Sequence, residues 1–231
     1  MEIFSFHLAP SGIAATLGAL ARPPHARTTS GLLHAECLVP MTLGHPIALP
    51  TRYHPRQLAM FARWERETAL DEFLAGSKLG RVLAAGWHVR MEFLRRWGHI
   101  SELAGLPARA LEHDERLPVV AVTLARLKLS QAFRFIRWGK PVEEQVRDDP
   151  ATTIALAAMR PLGTLSTFSI WRSQQALADM VQGRSEGPLA KRHVNAMRER
   201  DRKDFHHEFT TMRFRPLSEH GAWQGQSRFL P

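Results

Sequence analysis

The segment PLAKRHVNAMRER, residues 188–200, places one histidine where helix geometry gathers apolar side chains. At about 100° per residue, Leu189, Ala190, Ala196 and Met197 fall on one side. Lys191, Arg192, Asn195, Arg198, Glu199 and, one turn on, Arg202 fall on the other, with His193 near the middle of the apolar stripe. Two chemistries suit an imidazole there. It is a core histidine with a satisfied hydrogen bond, or it is a ligand, because neutral imidazole is a common axial donor to haem iron. Spacing alone leaves both open. Further on, FHHEF (205–209) offers His206 and His207, which point to opposite faces of a strand and are a poor joint metal site. The other histidines show no H-E-x-x-H or C-x-x-C spacing, so zinc has no support. No G-x-S-x-G elbow, phosphate loop or G-x-G-x-x-G appears, which leaves serine-hydrolase, P-loop and Rossmann nicotinamide chemistry without a carrier.

The chain that must position these residues has 231 of them, 44% hydrophobic and 23% charged, values of an ordinary globular protein. The net charge of +9 comes mainly from 26 Arg against 5 Lys, scattered along the chain and not interleaved with aromatics as a stacking platform. Nucleic acid is therefore not the expected partner. No apolar run approaches the roughly 18–20 residues of a spanning helix, and MEIFSFHLAP lacks the basic lead and apolar block of a signal peptide. A lone Cys37, read as a small core residue, excludes an intramolecular disulfide and fits a reducing compartment. A cytoplasmic location is expected.

An internal repeat sets the architecture. FARWERETALDEFLAG (61–76) and FSIWRSQQALADMVQG (168–183) share Phe, Trp, Ala, Leu and Gly at five matched positions without a gap. Trp64 and Trp171, matched in the repeat, are expected to pack. Each copy follows a strand-like opening, a helix-like segment and an apolar stretch ending in proline, and precedes another strand-like run. Each half thus reads β-α-β-β-α-β. The expected fold is α+β: duplicated ferredoxin-like halves, residues 1–98 and 119–231, joined by a linker at 99–118 and forming a two-sheet α/β barrel within one chain.

The halves differ in two places. From Pro40 to Phe61 the first half takes 21 residues where the second, from Pro161 to Phe168, takes 7; the excess, MTLGHPIALPTRYHPR, reads as a structured loop, a lid or a surface excursion. From Gly183 to Phe205 the second half takes 22 where the first, from Gly76 to Trp87, takes 11. The extra residues amount to about three helical turns. Gly187-Pro188 supplies a helix start, so His193 is expected on a helix that only the second half possesses.

The stretches TLSTFSIWRSQQALADMVQG, GPLAKRHVNAMRERDRKDFHHEFTTMRF and GAWQG resemble the spheroidene monooxygenase-like family, carotenoid-modifying oxygenases of the dimeric α/β-barrel superfamily. The resemblance rests on Thr167-Phe168-Ser169-Ile170-Trp171, His193, Phe205 with Glu208, Arg213-Phe214 and Gly221-Ala222-Trp223-Gln224-Gly225, and covers roughly residues 119–225. It implies a haem-associated oxygenase fold binding haem b through His193, with Arg192, Arg126 or Lys128 available to its propionates. FHHEF departs from the family's aromatic and acidic stretch, so a carotenoid substrate does not follow.

The function expected is a haem-dependent, monooxygenase-like oxidoreductase acting on a small apolar organic substrate, with an electron donor as a partner and a homodimer as a further possibility. Two alternatives stand beside it. One is a cofactor-free enzyme of the same fold using His206, His207 or Glu208 as general base. The other is a non-enzymatic protein that binds haem or an apolar ligand.

Overall fold

The computed structural model describes residues 1–161, 163–185 and 190–231. The first half runs β1 (Ile3–Pro10), α1 (Ile13–Ala21), β2 (Leu32–Met41), β3 (Gln57–Trp64), α2 (Glu67–Gly76), α3 (Lys78–Ala84) and β4 (Trp87–His99). The second runs β5 (Val119–Leu127), α4 (Ala132–Asp148), β6 (Thr152–Met159), β7 (Thr164–Trp171), α5 (Gln174–Gln182), α6 (Arg192–Arg202) and β8 (His206–His220). Each half is βαββαβ with one additional helix, as the repeat predicts. All strand pairings are antiparallel, and the order β1-β3-β2-β6-β7-β5-β8-β4 closes on itself. The two sheets are thus joined at both edges, briefly where β2 meets β6 and along eleven residue pairs where β4 meets β8. Each described strand is thereby paired on both sides, though over only three residue pairs where β2 meets β6.

Strand alternation divides the core into layers. Phe4, Phe6 and Leu8 of β1 point into the barrel with Val120, Val122 and Leu124 of β5 and Met212 and Phe214 of β8. Residues 99–118, expected only to connect, also plug this interior: Ile100, Leu103 and Leu106 are buried in it, as is Phe229 near the C-terminus. Outside the barrel, the first half fills the space between sheet and helices with bulky groups, among them Met60, Trp64, Leu70 and Phe73. Trp64 and Trp171 are both fully buried, each donating its indole N–H to a serine, Ser5 Oγ at 2.9 Å and Ser169 Oγ at 2.8 Å. Cys37 is buried in the first-half layer, and burial pushes its thiol up to about 12.

The helix expected in the second half only has a counterpart. α3 occupies the same place in the chain order of the first half, so the difference is one of length, seven residues against eleven in α6. The short connection after Gly76 already holds about two turns of helix, because Ser77 caps it by accepting from the Gly80 N–H at 2.7 Å. The Gly187-Pro188 start and Leu189 lie outside the described residues. None of the described helices is long and apolar enough to cross a membrane.

Candidate functional site

The outer layer of the second half is hollow where that of the first is filled. On β5, Ala121, Thr123 and Ala125 face the helices; on β7, Thr167 and Ser169 do so. In the repeat, Thr167 corresponds to Met60 and Ser169 to Ala62, so the second half presents smaller or more polar groups at these positions. A cavity of about 350 Å³ results, floored by this sheet face and roofed by α4, α5 and α6. That volume suits a small-molecule ligand. Phe135 and Ile136 of α4, Met180 of α5 and Met197 of α6 line it, with a few polar groups at defined points. Thr123 and Thr211 meet across β5 and β8 at 3.0 Å between hydroxyls on the floor.

His193 lines this cavity. Its Nδ1 lies 3.0 Å from the Val181 carbonyl oxygen, which can only accept, so Nδ1 carries the proton. Nε2 is left deprotonated, and it makes no hydrogen bond to the described residues. Burial lowers the ring's basicity; the Val181 carbonyl opposes this and the charge of Arg213 adds to it. The imidazole is therefore neutral, in one tautomer, with a lone pair free. Its backbone is fixed by Gln145 of α4, a fully enclosed side chain. Gln145 Oε1 accepts from the His193 N–H at 2.9 Å, and its Nε2 donates to the carbonyls of Ala190 at 3.2 Å and Met180 at 3.4 Å. Gly183 brings α6 close to α5: at φ +71° it ends α5, and a Cβ there would lie 3.0 Å from Val194 Cγ2 and 3.1 Å from the Ala190 oxygen.

His206 reaches the same cavity from β8. A bulge opposite Arg126 and Leu127 leaves His207 as the extra residue, which turns His206 and Phe209 to one face, their rings 5.0 Å apart. His207 is exposed, so the adjacent pair diverges as strand geometry requires. His206 is buried, and burial brings it down to about 4 against the opposing charge of Asp204. Both its ring nitrogens lack a hydrogen-bond partner among the described residues, Nδ1 standing 3.4 Å from Asp204 Oδ1.

The remaining expected site residues are placed elsewhere. Arg126 continues the inward-facing series of β5 and sits at a barrel mouth. It pairs there with Glu208 and Glu102, and 3.9 Å from the buried Glu36. Glu208 is held below the usual carboxylate range first by the Ser101 hydroxyl and then by Arg126, so it is no base for the cavity. Arg192 is paired with Glu144 of α4 at 2.5 Å. Neither Arg192 nor Lys128 lines the cavity. The polar groups that do, and that the sequence did not single out, include Lys140 and Glu143 of α4 and Arg52 of the 41–56 loop. The loop forms one wall through Leu43, Ile47 and Tyr53. It is latched to α4 by the buried Arg52, whose Nη2 donates to Glu143 Oε1 at 2.8 Å, and by the Gly44 N–H, which donates to Glu143 Oε2 at 2.9 Å.

No family model matches the sequence, and no curated protein sequence matches it either. Likeness is found among solved structures. An aldoxime dehydratase solved in complex with butyraldoxime aligns over 94% of this chain and 80% of its own, at 6% identity and a TM-score of 0.57. A second aldoxime dehydratase aligns over 99% and 86%, at 8% identity and a TM-score of 0.54. A monooxygenase candidate from Fusobacterium nucleatum aligns over 95% and 94%, at 9% identity and a TM-score of 0.41. For the two aldoxime dehydratases, at these identities, the likeness is one of fold, and the fold of this chain is the duplicated ferredoxin-like α/β barrel expected from the repeat.

Proposed function

We propose that the protein is a haem-dependent enzyme, a monooxygenase-like oxidoreductase acting on a small apolar organic substrate, with the second-half cavity as the place for haem b and His193 as the residue that would hold its iron. The observation that carries this reading is the hydrogen bond from His193 Nδ1 to the Val181 carbonyl, which leaves Nε2 as a neutral donor in an apolar cavity. A backbone acceptor behind the ring fixes the tautomer and raises the basicity of the opposite nitrogen, as is usual for metal-ligating histidines. The donor set fits iron ligation, and the small side chains of the sheet floor suit a flat ring system. When bound, haem supplies the oxidative chemistry.

The chain's own groups would position, enclose and exchange protons. Phe135, Met197 and Phe209 would exclude water from the reacting side. His206, neutral at physiological pH, would give or take a proton at Nε2, since its Nδ1 lies beside Asp204. The 41–56 loop would close over the substrate. Oxygen insertion would also call on an electron donor, and a second copy of the chain is a further partner. A second reading draws on the orphaned nitrogens of His206: in a cofactor-free enzyme they would act as general base on an activated apolar substrate.

The test is the visible spectrum of the purified protein, as isolated and after hemin is added, beside His193→Ala. A Soret band at one haem per chain, lost or shifted in the variant, is expected. A flat spectrum, with the variant merely less stable, makes His193 a core residue and moves the assignment to the cofactor-free reading.

A further inference from the structure

We propose that Arg95 and Arg213, with Trp97 beside them, form a carboxylate-binding site at the rim of the second-half cavity; the inference rests on reading that cavity as a ligand site. The two arginines are directly opposite in the β4–β8 register. Like charges so placed repel, and cross-strand neighbours normally avoid it. The next outward-facing pair along the ladder obeys the rule: Glu92 stands opposite Arg215 and forms an ion pair with it.

Other arginines of β4 are also provided for. Arg90 binds Glu67 and Asp71 at 2.6 Å each, and Arg96 donates to the carbonyls of Gly98 and Leu106 at 2.5 and 3.0 Å. Arg95 and Arg213 alone in this group have no ion pair and no side-chain hydrogen bond among the described residues. Arg213 is only 9% exposed, and Arg95 Nε is buried without a partner. Both guanidinium carbons lie over the Trp97 ring, at 4.1 Å for Arg95 and 4.9 Å for Arg213. The indole holds the two cations together without neutralising them.

The place of this pair gives it a use. Arg213 is opposite Ala121 in the β5–β8 register, and Trp97 is opposite Thr211; Ala121 and Thr211 both line the cavity floor. A ligand lying on that floor would have its edge at the guanidinium groups. Burial and the charge of Arg95 bring Arg213 down to about 10, and its charge is felt at His193. An anion between the two would remove the repulsion and accept a forked pair of hydrogen bonds from each planar guanidinium. A carboxylate matches that geometry. It would belong either to the cofactor or to an acidic end on an otherwise apolar substrate.

Calorimetric titration with decanoate and with decan-1-ol separates charge recognition from apolar burial, because the chains are equal in length. The wild-type protein is expected to bind decanoate at least about tenfold more tightly, the factor equivalent to about 1.4 kcal/mol. Arg213→Gln and Arg95→Gln should each abolish the preference while leaving decanol binding unchanged. Each variant should unfold at no lower temperature than wild type, since it removes an unneutralised cation; a lower temperature would mark the pair as structural and overturn the inference. Equal binding of the two ligands to the wild type, or a preference surviving in Arg213→Gln, overturns the inference and leaves the cavity reading standing. Binding of neither overturns both. Soret titrations with hemin and its dimethyl ester assign the source. A wild-type preference for the free acid that vanishes in Arg213→Gln places the cofactor's carboxylates at the pair. Equal titration, with the decanoate preference kept, assigns a substrate's.

Discussion

Replacing Gln145 with leucine tests whether α6, and with it His193, is held by one enclosed side chain. Leucine matches glutamine closely in size and removes its three hydrogen bonds at once. The His193 N–H, bonded at 2.9 Å, becomes a donor with no partner in a buried setting, and the Ala190 and Met180 carbonyls lose longer bonds of 3.2 and 3.4 Å. A buried donor left unsatisfied costs about 1–3 kcal/mol. The two carbonyls add less, because their second lone pairs and weaker geometry make them cheaper to strand, and the apolar leucine recovers part of the loss. A net destabilisation of about 2–3 kcal/mol follows, which for a domain of this size lowers the melting temperature by about 4–12 °C. Urea unfolding followed by far-UV circular dichroism gives the free energy, and hemin titration on the folded variant reports whether His193 is still in place. Loss of stability should come with weakened hemin uptake, since both stem from release of the α6 N-terminus. A variant as stable as wild type, or one destabilised as expected that takes up hemin unchanged, would refute the claim that Gln145 positions His193 for the proposed role.

Three further outcomes follow from the same geometry. The repeat glycines should respond with opposite sign to alanine: Gly183→Ala forces φ +71° on a residue with a Cβ and crowds Val194, destabilising by about 1–2 kcal/mol. Gly76→Ala, in open space at the end of α2, should stabilise by up to about 1 kcal/mol; matching signs in thermal melts would show that the connections are not packed as described. Thr167→Met restores the residue found at the repeat-equivalent Met60, so it should raise ligand-free stability by about 1–2 kcal/mol through added apolar burial and block hemin or decanol uptake; undiminished uptake would move the binding site elsewhere. Burial holds His34, His88 and His206 near 4 and His7 well below its usual value, so between about pH 6.5 and pH 4 the unfolded chain takes up protons that the folded chain refuses. Stability should fall as pH drops through that window, by up to about 1.4 kcal/mol per unit for each such histidine, with the raised carboxyl of Glu36 opposing among the described residues. Urea midpoints that stay level between neutral pH and about pH 5 would contradict this sign.

The fold was legible because it is written twice. A matched Phe, Trp, Ala, Leu and Gly in two copies identify the β3–α2 and β7–α5 units, and their flanks supply the order of the rest. The placement of His193 on a helix face that meets the cavity was legible too, because a helix of known period either keeps a histidine off its apolar stripe or does not. Its partner was not legible. Gln145 lies 48 residues upstream, and nothing in its own neighbourhood marks it as the side chain that closes over α6. His206 and His207 could be separated by face, but which one turns inward depends on a bulge opposite Arg126 that alternation does not announce. Arg126, Lys128 and Arg192 look equivalent in sequence to Arg213 as cations near a site. Only the placement of Glu36, Glu102, Glu144 and Glu208 shows that Arg126 and Arg192 are already paired. The helix expected in one half alone erred for a related reason: eleven residues are enough for α3 when a serine caps it.

The two outer layers explain how a duplicated fold carries this cavity in its second half. A hollow layer loses both apolar burial and packing contacts, so a chain with two such layers would be the weaker for it. Here the first half keeps a filled layer, and the barrel interior shared by both halves is packed with aromatic pairs, Phe6 on Phe168 at 3.9 Å and Phe4 on Phe214 at 4.9 Å. These pairs cross from one half to the other, so stability gained in the first half is transmitted to the second through the common core. The second half can then hold small side chains on its outer floor, an unbonded Nε2 on His193 and two unneutralised arginines on its rim, each of which costs stability on its own. Their concentration in one half, around this cavity, is the pattern the proposed binding site calls for, where packing defects alone would be scattered.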